Sequence, residues 1–174
     1  MWKIVRQIAR AGIPTEAAPT PDVADVGAAT RIRQEILDIL GQALAIRQVD
    51  AGSCNACELE IQALNNPYYN LEGLGIKLVA SPRHADMLLV TGPVTRNMEQ
   101  ALRRTYEAVP EPRLVVAVGD CAGCDGLFGE DYAPCGGVPT RLPADPPSPG
   151  CPPPPLGLPR RLSLALRRRQ HPTS

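Results

Sequence analysis

The sequence predicts an α/β fold in which a parallel sheet is flanked by helices and followed by a long Gly/Pro-rich C-terminal region. Three short apolar runs, at 76–80, 86–91 and 113–119, are the main evidence for the strands. They are apolar on both faces, which is typical of parallel strands covered on both sides. A helical pattern over 97–108 separates the second run from the third, as in a βαβ unit. Ligands of such sheets bind beyond the carboxyl ends of the strands, so we expect a site at that edge.

The composition narrows the classes of function. A chain of 174 residues fits one domain with a sizeable core, and its 18 basic residues balance 18 acidic ones. That balance, with one Trp, one Phe and four Tyr, argues against nucleic acid as a partner. No run of 18 apolar residues would span a membrane, and the N-terminus lacks the apolar core of a signal peptide. We therefore expect the protein to stay in a reducing cytosol. There, its six cysteines are expected to be metal ligands or free thiols and not disulfides.

The N-terminal part is predicted to contain two helices joined by an arm. Residues 1–11 fit a short basic amphipathic helix that Gly12 ends. Its apolar residues are Trp2, Ile4, Val5 and Ile8. This helix is either a foot on a membrane surface or on a partner protein, or a terminus that packs on its own domain. The Pro/Ala/Asp-rich stretch 13–28 is predicted to be a linker or wrapping arm, and helical spacing of apolar residues predicts a helix over 30–44.

The remaining elements follow from local patterns. Alternation predicts a strand over 45–50, and an apolar side predicts a helix over 57–65 that Pro67 stops. Gly, Pro and Asp dominate 122–155, which predicts a long loop that wraps a site or a partner. Within that loop we expect one edge strand in 138–145.

Four cysteines stand in the turns at the predicted strand ends. Cys54 and Cys57 form a Cys-x-x-Cys pair at the start of a helix, where the helix dipole favours negative sulfur and lowers the pKa of cysteine. Cys121 and Cys151 lie in Gly/Pro-marked turns. Four thiolates from three loops are what a cubic iron–sulfur cluster needs, because each sulfur binds one iron at a different corner.

We divide the chain into three parts: an N-terminal arm and helix (1–44), an α/β iron–sulfur domain (45–155) and a basic C-terminal tail (156–174). The tail sets leucines among arginines between Arg160 and Arg169, which fits a basic surface helix or a disordered end.

Four blocks of sequence carry a family resemblance. They are Cys54-Asn55-Ala56-Cys57-Glu58-Leu59-Glu60-Ile61, Ser81–Thr95, Val118–Ala122 and Pro149–Pro153. Together they resemble the small subunit of group 4, membrane-associated nickel–iron hydrogenases, a family homologous to the 20 kDa cluster-bearing subunit of respiratory complex I. The resemblance covers roughly Val49 to Pro155. The complex I protein carries two adjacent cysteines, so the spacing of Cys54 and Cys57 favours the hydrogenase branch.

The resemblance implies a flavodoxin-like sheet and a proximal [4Fe–4S] cluster bound by Cys54, Cys57, Cys121 and Cys151. Such a subunit of an oxidoreductase complex relays electrons to or from a nickel–iron site in a separate large subunit, in an enzyme of the formate-hydrogenlyase or CO-induced type. The other implied partners are a ferredoxin-like iron–sulfur subunit and membrane subunits. The implied location is the cytoplasmic side of the cell membrane, as a peripheral subunit, and no residue of this chain is expected to be catalytic.

The sequence departs from the family pattern at three places. Ala56 stands where the family usually has Gly, and Cys124 is an additional thiol just after the third ligand block. We expect Cys124 and Cys135 to be structural or free thiols. Beyond Pro155 the family has an apolar helix, whereas here Pro159 and several arginines interrupt the pattern.

Two other functions remain open from the residues. One is the equivalent 20 kDa subunit of a complex I-like NADH:quinone oxidoreductase. The other is a scaffold protein with a structural zinc ion, although zinc sites more often use two Cys-x-x-Cys knuckles.

Glu60 is expected either to tune the cluster or proton transfer, or to be a surface carboxylate. Asp120 is expected to form its own turn through its side chain. Tyr68, Tyr69 and residues 122–150 are the expected partner interface.

Overall fold

The structure is a computed structural model, and it describes residues 2–11, 23–124, 126, 129 and 131–170. Its α-helices are α1 (Trp2–Ala11), α2 (Val23–Leu40), α3 (Ala56–Ala63), α4 (Arg96–Ala108), α5 (Asp120–Cys124) and α6 (Gly157–Gln170). Its strands are β1 (Leu44–Asp50), β2 (Ile76–Leu78), β3 (Met87–Thr91), β4 (Leu114–Val118) and β5 (Asp145–Ser148). None of the helices in this described part has the length and apolar character needed to cross a bilayer.

The five strands form one parallel sheet in the order β2-β1-β3-β4-β5. This is the flavodoxin-like order, so the predicted α/β class and sheet are confirmed. The register pairs Asp50 at the end of β1 with Thr91 at the end of β3, and Thr91 with Val118 at the end of β4. The loops that leave these strands therefore start side by side at one edge.

Both faces of the sheet are buried, which explains why β3 and β4 are apolar at nearly every position. Leu89 and Val116 pack in a core cluster with residues of α2, α3 and α6. Their neighbours Leu88 and Val115 point to the opposite face, where Leu102 of α4 packs against them. Each such buried aliphatic side chain contributes roughly 1.5–3 kcal/mol, so the two layers hold the strand ends in fixed positions.

The N-terminal elements differ from the prediction at their boundaries. The predicted helix over 1–11 is present as α1, whereas α2 begins at Val23 and ends at Leu40. The linker prediction is therefore wrong for residues 23–28, and the rest of the predicted arm lies outside the described residues. Leu44 was predicted to end the helix but begins β1, because Gly41 at φ +66° adopts the left-handed conformation that stops α2.

The edge strand was predicted in the right loop but at the wrong residues. A short 3₁₀ turn occupies Val138–Thr140, and β5 begins at Asp145, where the prediction ended. Pro146 and Pro147 lie within β5 and have no N–H to donate, which is tolerated because β5 forms the outer edge of the sheet. Pairing with β4, and not local propensity, makes this segment a strand.

The C-terminal segment forms helix α6, so the alternative of a disordered end is wrong for the described residues. Leu158, Leu162 and Leu166 are at most 3 % exposed and pack in the core cluster shared with α2. Pro159 lies in the first turn of α6, where a missing N–H does not break the helix. Arg161 donates to the Pro147 carbonyl oxygen from Nε and Nη2, at 3.0 and 2.6 Å, and so ties α6 to β5. The division of the chain at residues 44 and 155 stays a prediction.

Candidate metal centre

The four cysteines singled out from the sequence lie beyond the carboxyl ends of three strands. Cys54 and Cys57 follow β1 at the start of α3, Cys121 lies in α5 directly after β4, and Cys151 follows β5. Because these strands end at the same edge of the sheet, the three loops are directed to one region. The structure thus brings together loops that are separated by up to about one hundred residues of sequence.

The Cys-x-x-Cys turn is shaped by backbone hydrogen bonds to polar side chains. Asp50 Oδ1 accepts from the backbone nitrogens of Gly52 and Ser53, at 2.8 and 2.7 Å. Asn55 takes a left-handed conformation at φ +72°, which Asn tolerates better than most residues, and it immediately precedes α3. The backbone nitrogen of Asn55 donates to Ser53 Oγ at 3.0 Å. These contacts set the direction in which the two cysteines leave the turn.

A buried carboxylate, Glu58, lies beside the second cysteine. The residue is only 6 % exposed, and its Oε2 accepts a 2.7 Å hydrogen bond from Ser53 Oγ. Oε1 is buried without a hydrogen-bond partner among the described protein atoms. The sequence interpretation chose Glu60 and missed Glu58. The available signal was an acidic residue in the first turn of a helix, where the helix dipole favours negative charge.

Asp120 and Gly150 connect the loops that carry the third and fourth cysteines. The backbone nitrogen of Asp120 donates to the Gly150 carbonyl oxygen at 3.0 Å, and the Gly150 nitrogen donates to Asp120 Oδ1 at 2.9 Å. The expectation that the Asp120 side chain closes its own turn is therefore wrong. Its partner lies 30 residues further along the chain, so it joins the loop of Cys121 to that of Cys151.

Glycines allow the sulfur of Cys57 to approach this pair of loops closely. Gly119 has φ +86°, and a Cβ added to it would lie 2.8 Å from Cys57 Sγ and 3.3 Å from the Gly150 carbonyl oxygen. The sulfur of Cys57 therefore contacts the backbone that leads directly into Cys121. The Gly150 carbonyl oxygen, in the loop of the fourth cysteine, approaches the same Cβ position.

The four thiols differ in burial, and the pKa of the Cys57 thiol is strongly raised. Cys57 and Cys121 are buried, at 9 % and 7 % exposure, whereas Cys54 and Cys151 are exposed. Burial raises the pKa of the Cys57 thiol to about 12, and negative charge on Glu58 and on the other three cysteines contributes to the rise. The expected lowering of the cysteine pKa by the helix dipole is thus wrong for Cys57. Burial and like charges outweigh the dipole here.

The four cysteines are a donor set of the kind that iron–sulfur clusters and zinc use. Within the described part of the chain, no three side chains of His, Cys, Asp or Glu stand ready to coordinate a single metal ion. Four soft sulfur donors favour iron–sulfur clusters or zinc over hard cations. Two of the four cysteines are buried, and negative charge on several neighbouring sulfurs is stabilised by a bound metal cation. A side chain at position 119 would collide with the Cys57 sulfur, so glycine at this position lets the sulfur lie against the backbone next to Cys121.

The two remaining cysteines bond to the backbone of their own turns. Cys124 Sγ donates to the Asp120 carbonyl oxygen at 3.4 Å, and Cys135 Sγ donates to the Ala133 carbonyl oxygen at 3.7 Å. Neither is among the groups that raise the pKa of Cys57. Their description as structural or free thiols stays a prediction.

Of the predicted partner-facing aromatic pair, Tyr68 is exposed, whereas Tyr69 is partly buried and packs against the core. Tyr68 is 81 % exposed, and its ring packs edge-to-face against Tyr69 with ring centroids 5.0 Å apart. Both follow α3, and Asn66 Oδ1 accepts hydrogen bonds from both backbone nitrogens, at 2.8 and 3.0 Å. The pair is therefore held in place in the segment that follows the Cys-x-x-Cys helix.

The chain is similar to known proteins in both sequence and structure. The family model described as NADH ubiquinone oxidoreductase, 20 Kd subunit, matches residues 54–163. Formate hydrogenlyase subunit 7 of Escherichia coli strain K12 is 37 % identical over 148 residues, which cover 85 % of this chain. The chain spans only 58 % of that relative's length. The probable membrane-bound hydrogenase subunit mbhJ of Pyrococcus furiosus is 39 % identical over 134 residues, covering 77 % of this chain and 80 % of the relative.

One solved structure is similar in both fold and sequence. It is a chain of the membrane-bound sulfane sulfur reductase, described as an archaeal respiratory membrane complex. The TM-score is 0.62 at 29 % sequence identity, and the match covers 73 % of this chain and 72 % of the other.

Proposed function

The chain belongs to the family of the 20 kDa subunit of NADH–ubiquinone oxidoreductase, and from this premise we propose that it is an electron-transfer subunit of a hydrogenase-like oxidoreductase complex. The family assignment confirms the resemblance predicted from the four sequence blocks. The matched segment contains all four candidate cysteines. The electron-transfer role is the function best supported by a sulfur-rich site at a sheet edge.

We propose that Cys54, Cys57, Cys121 and Cys151 bind one [4Fe–4S] cluster. When bound, such a cluster accepts and donates single electrons. The observation that carries this assignment is that the loops of the four cysteines meet at one sheet edge: Gly119, two residues before Cys121, lies against the Cys57 sulfur, and Asp120 bonds to Gly150, next to Cys151. A structural zinc site would use the same donor type, and it is the main competing assignment.

The residues around the cysteines would position the cluster and exclude water. Asp120 and Gly150 hold two ligand loops at a fixed separation, and Ser53 fixes Glu58 beside the first pair. Burial of Cys57 and Cys121 keeps water from one side, while the exposed Cys54 and Cys151 leave the other side open to a partner protein. Local charge and burial are the properties by which proteins set the potential of a cluster.

For the type of complex, we propose a nickel–iron hydrogenase of the formate-hydrogenlyase or CO-induced type. The Cys54-x-x-Cys57 spacing and the names of the two relatives support this choice. The cluster would relay electrons to or from a nickel–iron large subunit, with a ferredoxin-like subunit and membrane subunits as further partners. The assembly would lie peripherally on the cytoplasmic side of the membrane. The description of the family favours a second candidate, an NADH:quinone oxidoreductase.

The decisive experiment measures iron and acid-labile sulfide, with EPR spectra of the reduced protein, for the wild type and for Cys151→Ser. About four irons per chain and a reduced-cluster signal are expected for the wild type, with loss or alteration of both in the variant. Cys124→Ser is the matched control and is expected to retain the wild-type iron content. Zinc without iron would overturn the electron-transfer proposal. Hydrogen-dependent dye reduction by the purified complex separates a hydrogenase from a quinone reductase.

A further inference from the structure

Helix α1 carries two adjacent stripes of opposite chemistry. Trp2, Val5 and Ala9 recur at a spacing of three and four residues, and Arg6 and Arg10 form the next stripe at i and i+4. The helical period of the sequence adds Ile4 and Ile8 to the apolar half and Lys3 to the basic half. The helix contains no acidic residue. The helix is therefore strongly amphipathic, and all of its charged residues are basic.

The apolar stripe is exposed in this structure. Trp2 is 80 % exposed and Val5 is 53 % exposed, and neither belongs to the core clusters of the described residues. Ala9, Arg6 and Arg10 are exposed as well. A tryptophan and a valine on one exposed stripe form an apolar surface that water does not favour, so a contact outside the fold is expected to cover it.

We propose that α1 lies flat on the surface of a bilayer that contains anionic lipids. The apolar stripe enters the boundary between headgroups and acyl chains, while Arg6 and Arg10 contact lipid phosphates. Tryptophan is favoured at this interface because its ring is apolar and its N–H is polar. A helix of ten residues is about 15 Å long, half the thickness of the hydrocarbon core, so it lies in the plane and does not span it.

Charge favours lipid over protein as the occupant. Helix α1 has no acidic residue that could pair with Arg6 and Arg10, and an anionic lipid surface presents negative charge in every direction along their stripe. A protein partner would need an acidic border beside an apolar groove at one fixed position. The inference goes beyond electron transfer, and it does not depend on the metal content of the centre.

The chain contains a single tryptophan, so Trp2 reports directly on its own environment. The full-length protein is titrated with vesicles of phosphatidylcholine and phosphatidylglycerol in equal amounts, and with vesicles of phosphatidylcholine alone. A blue shift of the emission, with quenching by lipids brominated near the headgroup, is expected for the anionic vesicles. The shift is expected to decrease in about 0.5 M salt, because salt at that concentration screens the attraction between arginine and lipid charges beyond a few ångströms.

Two pairs of variants test which residues are responsible. Arg6→Gln/Arg10→Gln is expected to lower the vesicle partition coefficient about 30-fold, whereas Arg103→Gln/Arg104→Gln on helix α4 removes the same charge and is expected to have little effect. Val5→Asp is expected to abolish the fluorescence shift. The matched control Leu164→Asp changes an apolar residue that is 46 % exposed on α6 and is expected to retain it. Far-UV circular dichroism checks that each variant keeps its fold.

Three outcomes would overturn the proposal. The first is a Trp2 emission that anionic vesicles do not change. The second is an equal loss of binding in the two arginine double variants. The third is a Trp2 emission that vesicles leave unchanged, combined with protection of Trp2 from acrylamide quenching in the assembled complex. This result would identify a protein as the occupant. The fluorescence readout is independent of iron, so this proposal and the electron-transfer proposal fail separately.

Discussion

Asp120 and Gly150 exchange two hydrogen bonds: the Asp120 nitrogen donates to the Gly150 carbonyl oxygen at 3.0 Å, and the Gly150 nitrogen donates to Asp120 Oδ1 at 2.9 Å. Cys121 and Cys151 are the next residues in the chain after each of them. One carboxylate therefore controls the separation of two proposed ligands that lie in different loops. The Gly119 nitrogen, which donates to the Ser148 carbonyl oxygen at 2.8 Å, adds a backbone bond between the same loops.

Replacing Asp120 with Ala is expected to lower the iron content and to destabilise the protein. The change removes the acceptor of the Gly150 N–H, which is partly buried, and such a loss costs roughly 1–3 kcal/mol. Iron per chain and the urea midpoint of unfolding measure the two effects. Asp120→Asn is the control, because its amide oxygen still accepts the hydrogen bond. Wild-type iron content in Asp120→Ala would show that the loops do not need this bond.

Gly119→Ala is expected to displace the sulfur of Cys57 and to reduce cluster binding. Its Cβ would lie 2.8 Å from Cys57 Sγ, and its φ of +86° already disfavours a side chain. Gly41→Ala separates the two causes, because Gly41 has a φ of +66° and nothing within 4 Å of an added Cβ. The strain of a side chain in the left-handed backbone conformation alone costs about 1–2 kcal/mol.

The measurement compares iron retention with unfolding free energy in the two glycine variants. We expect both variants to lose some stability, and only Gly119→Ala to lose iron. Equal iron retention in both would mean that the close contact with Cys57 does not matter for the metal.

The parts of the fold that could be predicted from sequence are those whose signal is local. Strands β3 and β4 are apolar on both faces because helices cover both, and this leaves a continuous apolar run in the sequence. Strand β5 left no such signal, since Pro146 and Pro147 have low strand propensity and are held by pairing with β4. In α6, arginines interrupt the apolar pattern of the sequence. The buried face formed by Leu158, Leu162 and Leu166 was therefore not predicted.

For the candidate site, the residue types were predictable and their partners were not. The cysteine turns are visible because Gly and Pro mark them, so the four candidate ligands could be named. The partner of Asp120 lies 30 residues away, and the burial of Glu58 depends on how α3 packs, so neither follows from neighbouring residues. Glu60, which the sequence interpretation preferred, is only partly buried.

Glu58→Gln is expected to raise the midpoint potential of the bound cluster. A buried negative charge beside Cys57 disfavours the reduced, more negative cluster, so its removal stabilises the reduced form. One charge at this range is expected to change the potential by on the order of 50 mV. Glu60→Gln is the matched control on the same helix, because Glu60 is not among the groups that act on Cys57. An EPR-monitored redox titration measures the midpoint potential in both variants. A larger shift in Glu60→Gln than in Glu58→Gln would show that Glu60, and not Glu58, is the carboxylate that acts on the cluster.

The contact between α2 and α6 is expected to make stability depend on pH through Glu35. Burial acts to raise the pKa of Glu35, but hydrogen bonds from Ser163 and Arg167 and the charges of Arg167 and Arg31 outweigh it. The pKa therefore lies below its ordinary value of 4.5 in the folded protein. A lowered pKa stabilises the fold above the unfolded pKa, and this contribution is lost as the pH falls through the folded one.

We therefore expect Glu35→Gln to lower the unfolding free energy at pH 7 by about 1 kcal/mol. The effect is no larger because Arg167 is 56 % exposed and solvent weakens its ion pair with Glu35. The difference from the wild type should shrink below about pH 4. Urea unfolding at about pH 7, 5 and 3.5 measures it. Leu37→Ala removes part of a neutral side chain that is 37 % exposed on the same helix, and it is expected to keep the wild-type pH dependence. A constant difference across this range would mean that Glu35 stabilises the helix contact by packing and not by charge.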